Sequence, residues 1–275
     1  MGSYKKMLDE MIWSFSRLHM YEVCPYAFYL KYILKMLGIS NFYAENGKAM
    51  HEVLCDIAIG KLSVEDAIGE YLNKFDLICE TVSSSTMEKT CEKCCDYLCE
   101  LAPINPEKYE VIGAEVKLEF EIEGYRFVGY ADLILKDLSK VIVILSDHKS
   151  ADHFFKKDGV TPLANQRENF EAYSKQMYLY CKGIETKYGF LPDECVWNHF
   201  KDGGATSKIK FNKEDYIKAQ DWAISTIKKI YKDRKFLANP QYFMCRHLCD
   251  FREDCDYKNG EDYYSYEKGG FQYFY

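Results

Sequence analysis

Two patterns of apolar residues divide the chain. Between Ala44 and Leu101 they recur every three or four positions, and from Tyr109 to Asp147 they alternate. Ahead of the first pattern, Ser16 reads as the N-cap of a short helix. Pro25 suits the first turn of a second helix running toward Met36. Ala44–Ile59, Val64–Cys79 and Met87–Leu101 read as three more helices, and Pro103 and Pro106 break the helical stretch. Tyr109–Ile122 follows as a long strand, Glu123-Gly124 as a turn and Tyr125–Leu135 as a second strand; Val141–Asp147 completes a meander. After a charged loop, Glu168–Tyr188 reads as an amphipathic helix and Glu194–Phe200 as a short strand. The Gly203-Gly204 turn leads to Lys208–Phe211, and Asn212 caps a helix over Lys213–Arg234. This order predicts one α/β domain of the mixed α+β kind over residues 1–275. Its central mixed sheet is flanked by helices, with 44–102 as a helical insertion and 109–235 as the core.

The meander brings two acids together. A turn centred near Ser139-Lys140 sets Asp132 opposite Asp147, where paired Cβ atoms lie roughly 4.5–5.5 Å apart. Lys149, two residues beyond Asp147, falls on the same face of the sheet. Two carboxylates that close repel one another unless a cation lies between them, and hard oxygen ligands suit Mg²⁺ or Mn²⁺. Gln176 and Tyr180 project from one face of the following helix. His51 offers a neutral imidazole as a further metal ligand.

The 12 cysteines change the picture more than the overall composition does. Cys245, Cys249 and Cys255 crowd near the C-terminus among Arg246, His247 and Asp250, which are poor core neighbours. A fourth thiolate is required, and Cys24 at a helix start is the best candidate. Four thiolates hold either an iron–sulfur cluster or a structural zinc, and such a site would join residues 16–36 to 240–258. Cys91, Cys94, Cys95 and Cys99, together with Leu98, instead form an apolar helical stripe and read as core.

Hydrophobic residues make up 48% of the 275 positions, enough to bury a full core. The net charge of −7 runs against nucleic-acid binding, although Lys156, Lys157, Arg167 and Lys175 follow the acidic pair closely and provide a local basic run. No apolar stretch is long enough to span a membrane, and no signal peptide is evident. The chain reads as cytoplasmic, with reduced thiols.

Together these residues resemble the PD-(D/E)XK nuclease superfamily, in particular the RecB-type exonuclease domains and their small stand-alone CRISPR-associated and phage relatives. The resemblance runs from Ser16-Arg17-Leu18 and Cys24-Pro25 through Gly47-Lys48-Ala49-Met50-His51, Gly129-Tyr130-Ala131-Asp132 and Asp147-His148-Lys149. It continues through Gln176-Met177-Tyr178-Leu179-Tyr180 to Cys245, Cys249 and Cys255. It implies a restriction-endonuclease-like core and a Mg²⁺- or Mn²⁺-dependent DNA exonuclease. His51, Asp132, Asp147 and the carbonyl of His148 would ligate the metal, and Lys149 would position or deprotonate water and stabilise the transition state. Gln176 and Tyr180 would contact the scissile phosphate region, and Cys24, Cys245, Cys249 and Cys255 would hold a [4Fe–4S] cluster. One departure is the three residues between Cys245 and Cys249, where relatives commonly have two.

The implied partners are single-stranded or end-containing duplex DNA and a helicase, recombination or CRISPR adaptation protein, with no membrane. Because no G-x-x-x-x-G-K-[ST] motif is present, unwinding falls to a partner. Two other readings stay open: a non-catalytic DNA-end-binding adaptor with a nuclease fold, and a metal–thiolate regulatory protein without a nucleic-acid role.

Overall fold

The structure is a computed structural model and describes residues 3–78, 81–101, 104–241 and 243–257. Cys79, Pro103 and Lys258, each a boundary or breaker in the sequence reading, lie outside the described residues.

The meander forms as the alternation dictates. β1 (Tyr109–Ile122), β2 (Tyr125–Asp137) and β3 (Ile142–Lys149) are consecutive antiparallel neighbours. β2 and β3 pair Leu133 with Ser146 and Asp137 with Ile142. This is the register expected from a turn at Ser139-Lys140, and it stops one step short of Asp132 and Asp147. The turn is held by the Asp137 carboxylate, which accepts hydrogen bonds from the Ser139 hydroxyl at 2.6 Å and from the amides of Ser139 and Lys140.

β4 (Glu194–His199) joins β3 in parallel, and β5 (Ala205–Lys210) closes a five-stranded mixed sheet in the order β1-β2-β3-β4-β5. The parallel step needs a crossover, which α7 (Arg167–Tyr188) supplies. α7 packs on β1 and β2 and against α8 (Lys213–Lys232), which Asn212 caps as expected. The main core lies between these helices and the sheet, with Leu118, Phe127, Ile134, Leu145, Met177, Trp197 and Ile227 almost wholly buried.

Toward the N-terminus the helices depart from expectation. A helix of seven residues, α1 (Ser3–Asp9), was not anticipated. Ser14 rather than Ser16 caps α2 (Phe15–Val23). Trp13 explains the shift: its amide donates to the Arg126 carbonyl and its carbonyl accepts from the Val128 amide, both at 2.8 Å. The chain therefore stays extended up to Ser14. The helix expected from Pro25 toward Met36 is split into α3 (Pro25–Phe28) and a π-helical turn over Tyr29–Ile33, and Lys35 ends it at a φ of 54°.

α4 (Phe42–Ala58), α5 (Ala67–Phe75) and α6 (Ser84–Glu100) bury a second cluster around Phe42, Met50, Tyr71, Cys94 and Leu98, to which Phe200 adds from beyond β4. The cysteine stripe of α6 is narrower than its spacing implied. Cys94 is buried, Cys91 and Cys95 are half-buried, and Cys99 is exposed because Leu98 takes the last core position. No helix among the described residues is long and apolar enough to cross a membrane.

Candidate functional site

The middle of β2, the end of β3, the middle of α4 and one face of α7 converge on a single cluster of charges. Asp132 is the hub. Its Oδ2 lies 3.1 Å from His51 Nδ1 and accepts the backbone N–H of His148 at 2.8 Å. Glu115, across from Asp132 on β1, reaches within 3.9 Å of His51. Its backbone has a φ of 46°, a left-handed conformation that non-glycine residues adopt at a cost of roughly 1–3 kcal/mol. Among the described residues, His51, Glu115 and Asp132 form the one group of three or more possible ligands whose donor atoms all lie within 4.8 Å of one another.

Asp147 instead faces Lys149. Its Oδ2 lies 2.6 Å from the ammonium, and both side chains are nearly inaccessible. The same ammonium donates to Gln176 Oε1 at 3.0 Å and sits 4.4 Å from the centre of the Tyr173 ring. Gln176 Nε2 donates in turn to the Tyr180 hydroxyl at 2.9 Å. Gly129 makes room for this arrangement, since a Cβ there would lie 2.6 Å from Tyr180 Cε1. Asp147, Lys149, Gln176 and Tyr180 thus form one chain of contacts, and Asp132, with His51 and the amide of His148, forms a second group that acts on it through charge. The His148 side chain is buried, and its ring lies at a right angle to His51 with centroids 6.0 Å apart.

Burial and neighbouring charge sort the protonation states. Burial pushes the Asp147 carboxyl up, and repulsion from Asp132 adds to this despite the opposing pull of Lys149. Asp132 goes the other way: burial would raise it, but the hydrogen bond and charge of His51 outweigh burial and hold it low. Burial would lower Lys149, yet Asp147, Tyr173 and Asp132 keep its ammonium protonated. Burial pushes the His148 imidazole down to about 4, so it is neutral, and raises Glu115, with Asp132 contributing. Three carboxylates therefore gather around one ammonium and one imidazole, a concentration of acidic oxygen that suits a divalent cation.

Glu115 was not picked out by sequence reasoning. In an alternating strand a glutamate between Ala114 and Val116 reads as solvent-facing, and the positive φ that turns it toward Asp132 leaves no sequence signal. The basic run fares differently. Lys156, Lys157 and Arg167 are exposed, whereas Lys175 lies over the Trp222 ring and 3.8 Å from Glu22.

The second convergence is sulfur. Cys24, as N-cap of α3, lines one cavity of about 250 Å³ together with Cys245, Cys249 and Cys255. The C-terminal segment is fastened over the N-terminal helices by several contacts. Lys31 and Asp250 pair at 2.5 Å, Asn41 Nδ2 donates to the Leu248 carbonyl at 3.1 Å, and the Ile39 amide donates to the Asp250 carbonyl at 2.7 Å. Backbone N–H groups already point at two of the sulfurs, Gln241 to Cys245 at 3.3 Å and Phe251 to Cys249 at 3.4 Å. Burial lifts the Cys249 thiol to about 11, and the other three cysteines add to the shift. The thiols form no group as tight as that at His51.

A mixed sheet that carries an acidic pair and a lysine on the adjacent strands β2 and β3 has the make-up of a nuclease core. The model of the PD-(D/E)XK nuclease superfamily matches residues 12–256, and the chain belongs to that superfamily. One similar solved structure, "Crystal structure of SSO0001", is 16% identical, covers 77% of this chain and 86% of its own, and superposes with a TM-score of 0.32. No curated protein matches.

Proposed function

We propose that the chain is a Mg²⁺- or Mn²⁺-dependent exonuclease that hydrolyses phosphodiester bonds at DNA ends and carries a [4Fe–4S] cluster on Cys24, Cys245, Cys249 and Cys255. The observation that carries the proposal is Lys149, a buried ammonium held between Asp147 and Gln176 beside the His51–Glu115–Asp132 group. His51, Asp132, Asp147 and the His148 carbonyl would hold the cation, with Glu115 as an additional ligand. An imidazole among carboxylates favours Mn²⁺ over Mg²⁺. When bound, the cation lowers the pKa of its water and neutralises phosphate charge.

The protein's own groups do the rest. Lys149 is protonated at rest, which supports placing water and stabilising developing phosphate charge over abstracting a proton. Gln176, braced by Tyr180, holds the Lys149 ammonium in place. The cluster would fasten residues 16–36 to 240–258, where DNA enters, as the fourfold sulfur lining of one cavity supports. A partner such as a helicase would provide unwinding.

The test is end-labelled linear DNA incubated with anaerobically purified protein and Mn²⁺, beside Lys149→Ala and circular DNA. The wild type should shorten linear DNA from its ends and spare the circle. Lys149→Ala should be slower by roughly 10²–10³-fold. Cutting of the circle would overturn the exonuclease assignment. If neither protein cuts any DNA, catalysis itself is overturned and the end-binding reading takes its place.

A further inference from the structure

Lys201 is a half-buried cation that the site described above does not use. It follows β4 by two residues; the parallel register sets His199 beside Lys149, and the Phe200 amide donates to the Lys149 carbonyl at 3.1 Å. Its ammonium lies 5.4 Å from the centre of the Tyr43 ring at the start of α4. Among the described residues no carboxylate forms an ion pair with it. The groups acting on it are the Cys94 thiol and then Lys93 and Asp152, which are of opposite sign. Burial pushes its ammonium below the ordinary lysine value. A partly desolvated cation that sits against a ring face, with no carboxylate paired to it, gains from an anion joining it.

α4 links this lysine to the metal group. Tyr43, Gly47 and His51 follow one another at four-residue spacing and share one stripe of the helix. Tyr43 touches Lys201 at one end of the stripe, and His51 touches Asp132 at the other. Between them a Cβ on Gly47 would meet nothing within 4 Å. Glycine inside a helix is unfavourable relative to alanine, and the free protein supplies no steric reason for it here. The missing side chain leaves this turn of α4 open to the close approach of a nucleic-acid backbone.

Resting on the nuclease reading above, we propose that Lys201 binds a backbone phosphate of a single DNA strand that runs from the His51 metal group across the open face of Gly47. The strand is thereby fixed beyond the reacting phosphate, and Lys201 acts as a positioning residue.

The experiment measures binding of a fluorescent oligothymidylate to Lys149→Ala protein, which does not consume the probe, over a range of salt. Adding Lys201→Ala should weaken binding by about tenfold at low salt, the worth of one modest charged contact. It should also lower the slope of log affinity against log salt by about 0.7, the loss of one phosphate contact to a single strand. Lys201→Arg should restore the slope. Gly47→Ala should raise the melting temperature yet weaken binding, a combination that a purely structural role does not produce. A Lys201→Ala slope equal to its parent's, or Gly47→Ala binding equal to its parent's, would overturn the proposal while leaving the nuclease reading intact. Failure of the Lys149→Ala parent to bind at low salt, together with absence of cutting by wild type, would overturn both.

Discussion

The oxygen site and the sulfur site are built on opposite plans. Around Asp132 the charges exist before any cation arrives, and they are balanced against one another through His51, Lys149 and the His148 amide. Around Cys249 the ligand atoms themselves carry little charge, because burial keeps the thiol protonated up to about 11, while the N–H groups of Gln241 and Phe251 point at Cys245 and Cys249. The first site is held open by strand and helix geometry. The second is held by backbone and ion-pair contacts between two distant stretches of chain, from Lys31–Asn41 to Leu248–Asp250. A preorganised carboxylate site can exchange its cation freely, whereas a thiol site must lose protons to be loaded and then gains rigidity from what it holds.

If that contrast is right, the two sites fail independently. The largest effect is expected at sulfur: Cys249→Ser should abolish iron content after anaerobic reconstitution and lower the melting temperature, while Mn²⁺ affinity measured by calorimetry stays put. Iron retained at the wild-type level would break the assignment. At the oxygen site, Glu115→Gln should weaken Mn²⁺ roughly tenfold, comparable to the loss of a supporting ligand contact, with iron content unchanged. Equal Mn²⁺ affinity in variant and wild type would show that the strained glutamate serves the strand rather than the cation.

A smaller effect separates both sites from the scaffold. The Asp137 carboxyl is held down at about 2, first by the Ser139 hydroxyl, then by Lys140 and the turn amides. A carboxyl whose folded value is depressed contributes stability above its unfolded value, near 4, and loses it as pH falls toward 2. Asp137→Asn should therefore lower the urea midpoint at pH 7 and match wild type progressively better as pH drops below 4. A gap that does not depend on pH would rule out this carboxylate as its source.

The legible parts of the molecule were those governed by periodicity and local turn chemistry. The meander's strands and register followed from alternation and from the Ser139-Lys140 turn, and Asp132, Asp147 and Lys149 came with them. Gln176 and Tyr180 followed from helical spacing, as did the N-cap Asn212. Features created by contacts between distant segments were not legible. Trp13 is drawn onto β2 and so moves the start of α2 to Ser14. The π-helical turn after Phe28 belongs to a stretch covered by Phe251. Glu115 needed a backbone angle, and Lys201 needed Tyr43, from 158 positions earlier in the sequence, to reveal that its ammonium lies against a ring face beside α4.

The clasp between the first and last described segments also bears on how the chain is made. Phe251 covers Ala27 and Leu30, so these apolar side chains have no lid until the chain has grown by a further 221 positions beyond Leu30 (251 − 30). At roughly 5–20 residues per second, that delay is on the order of ten seconds or more. Throughout that interval the nascent protein presents a sticky patch beside Cys24, and a ribosome that stalls before Phe251 releases a product that no later step can seal.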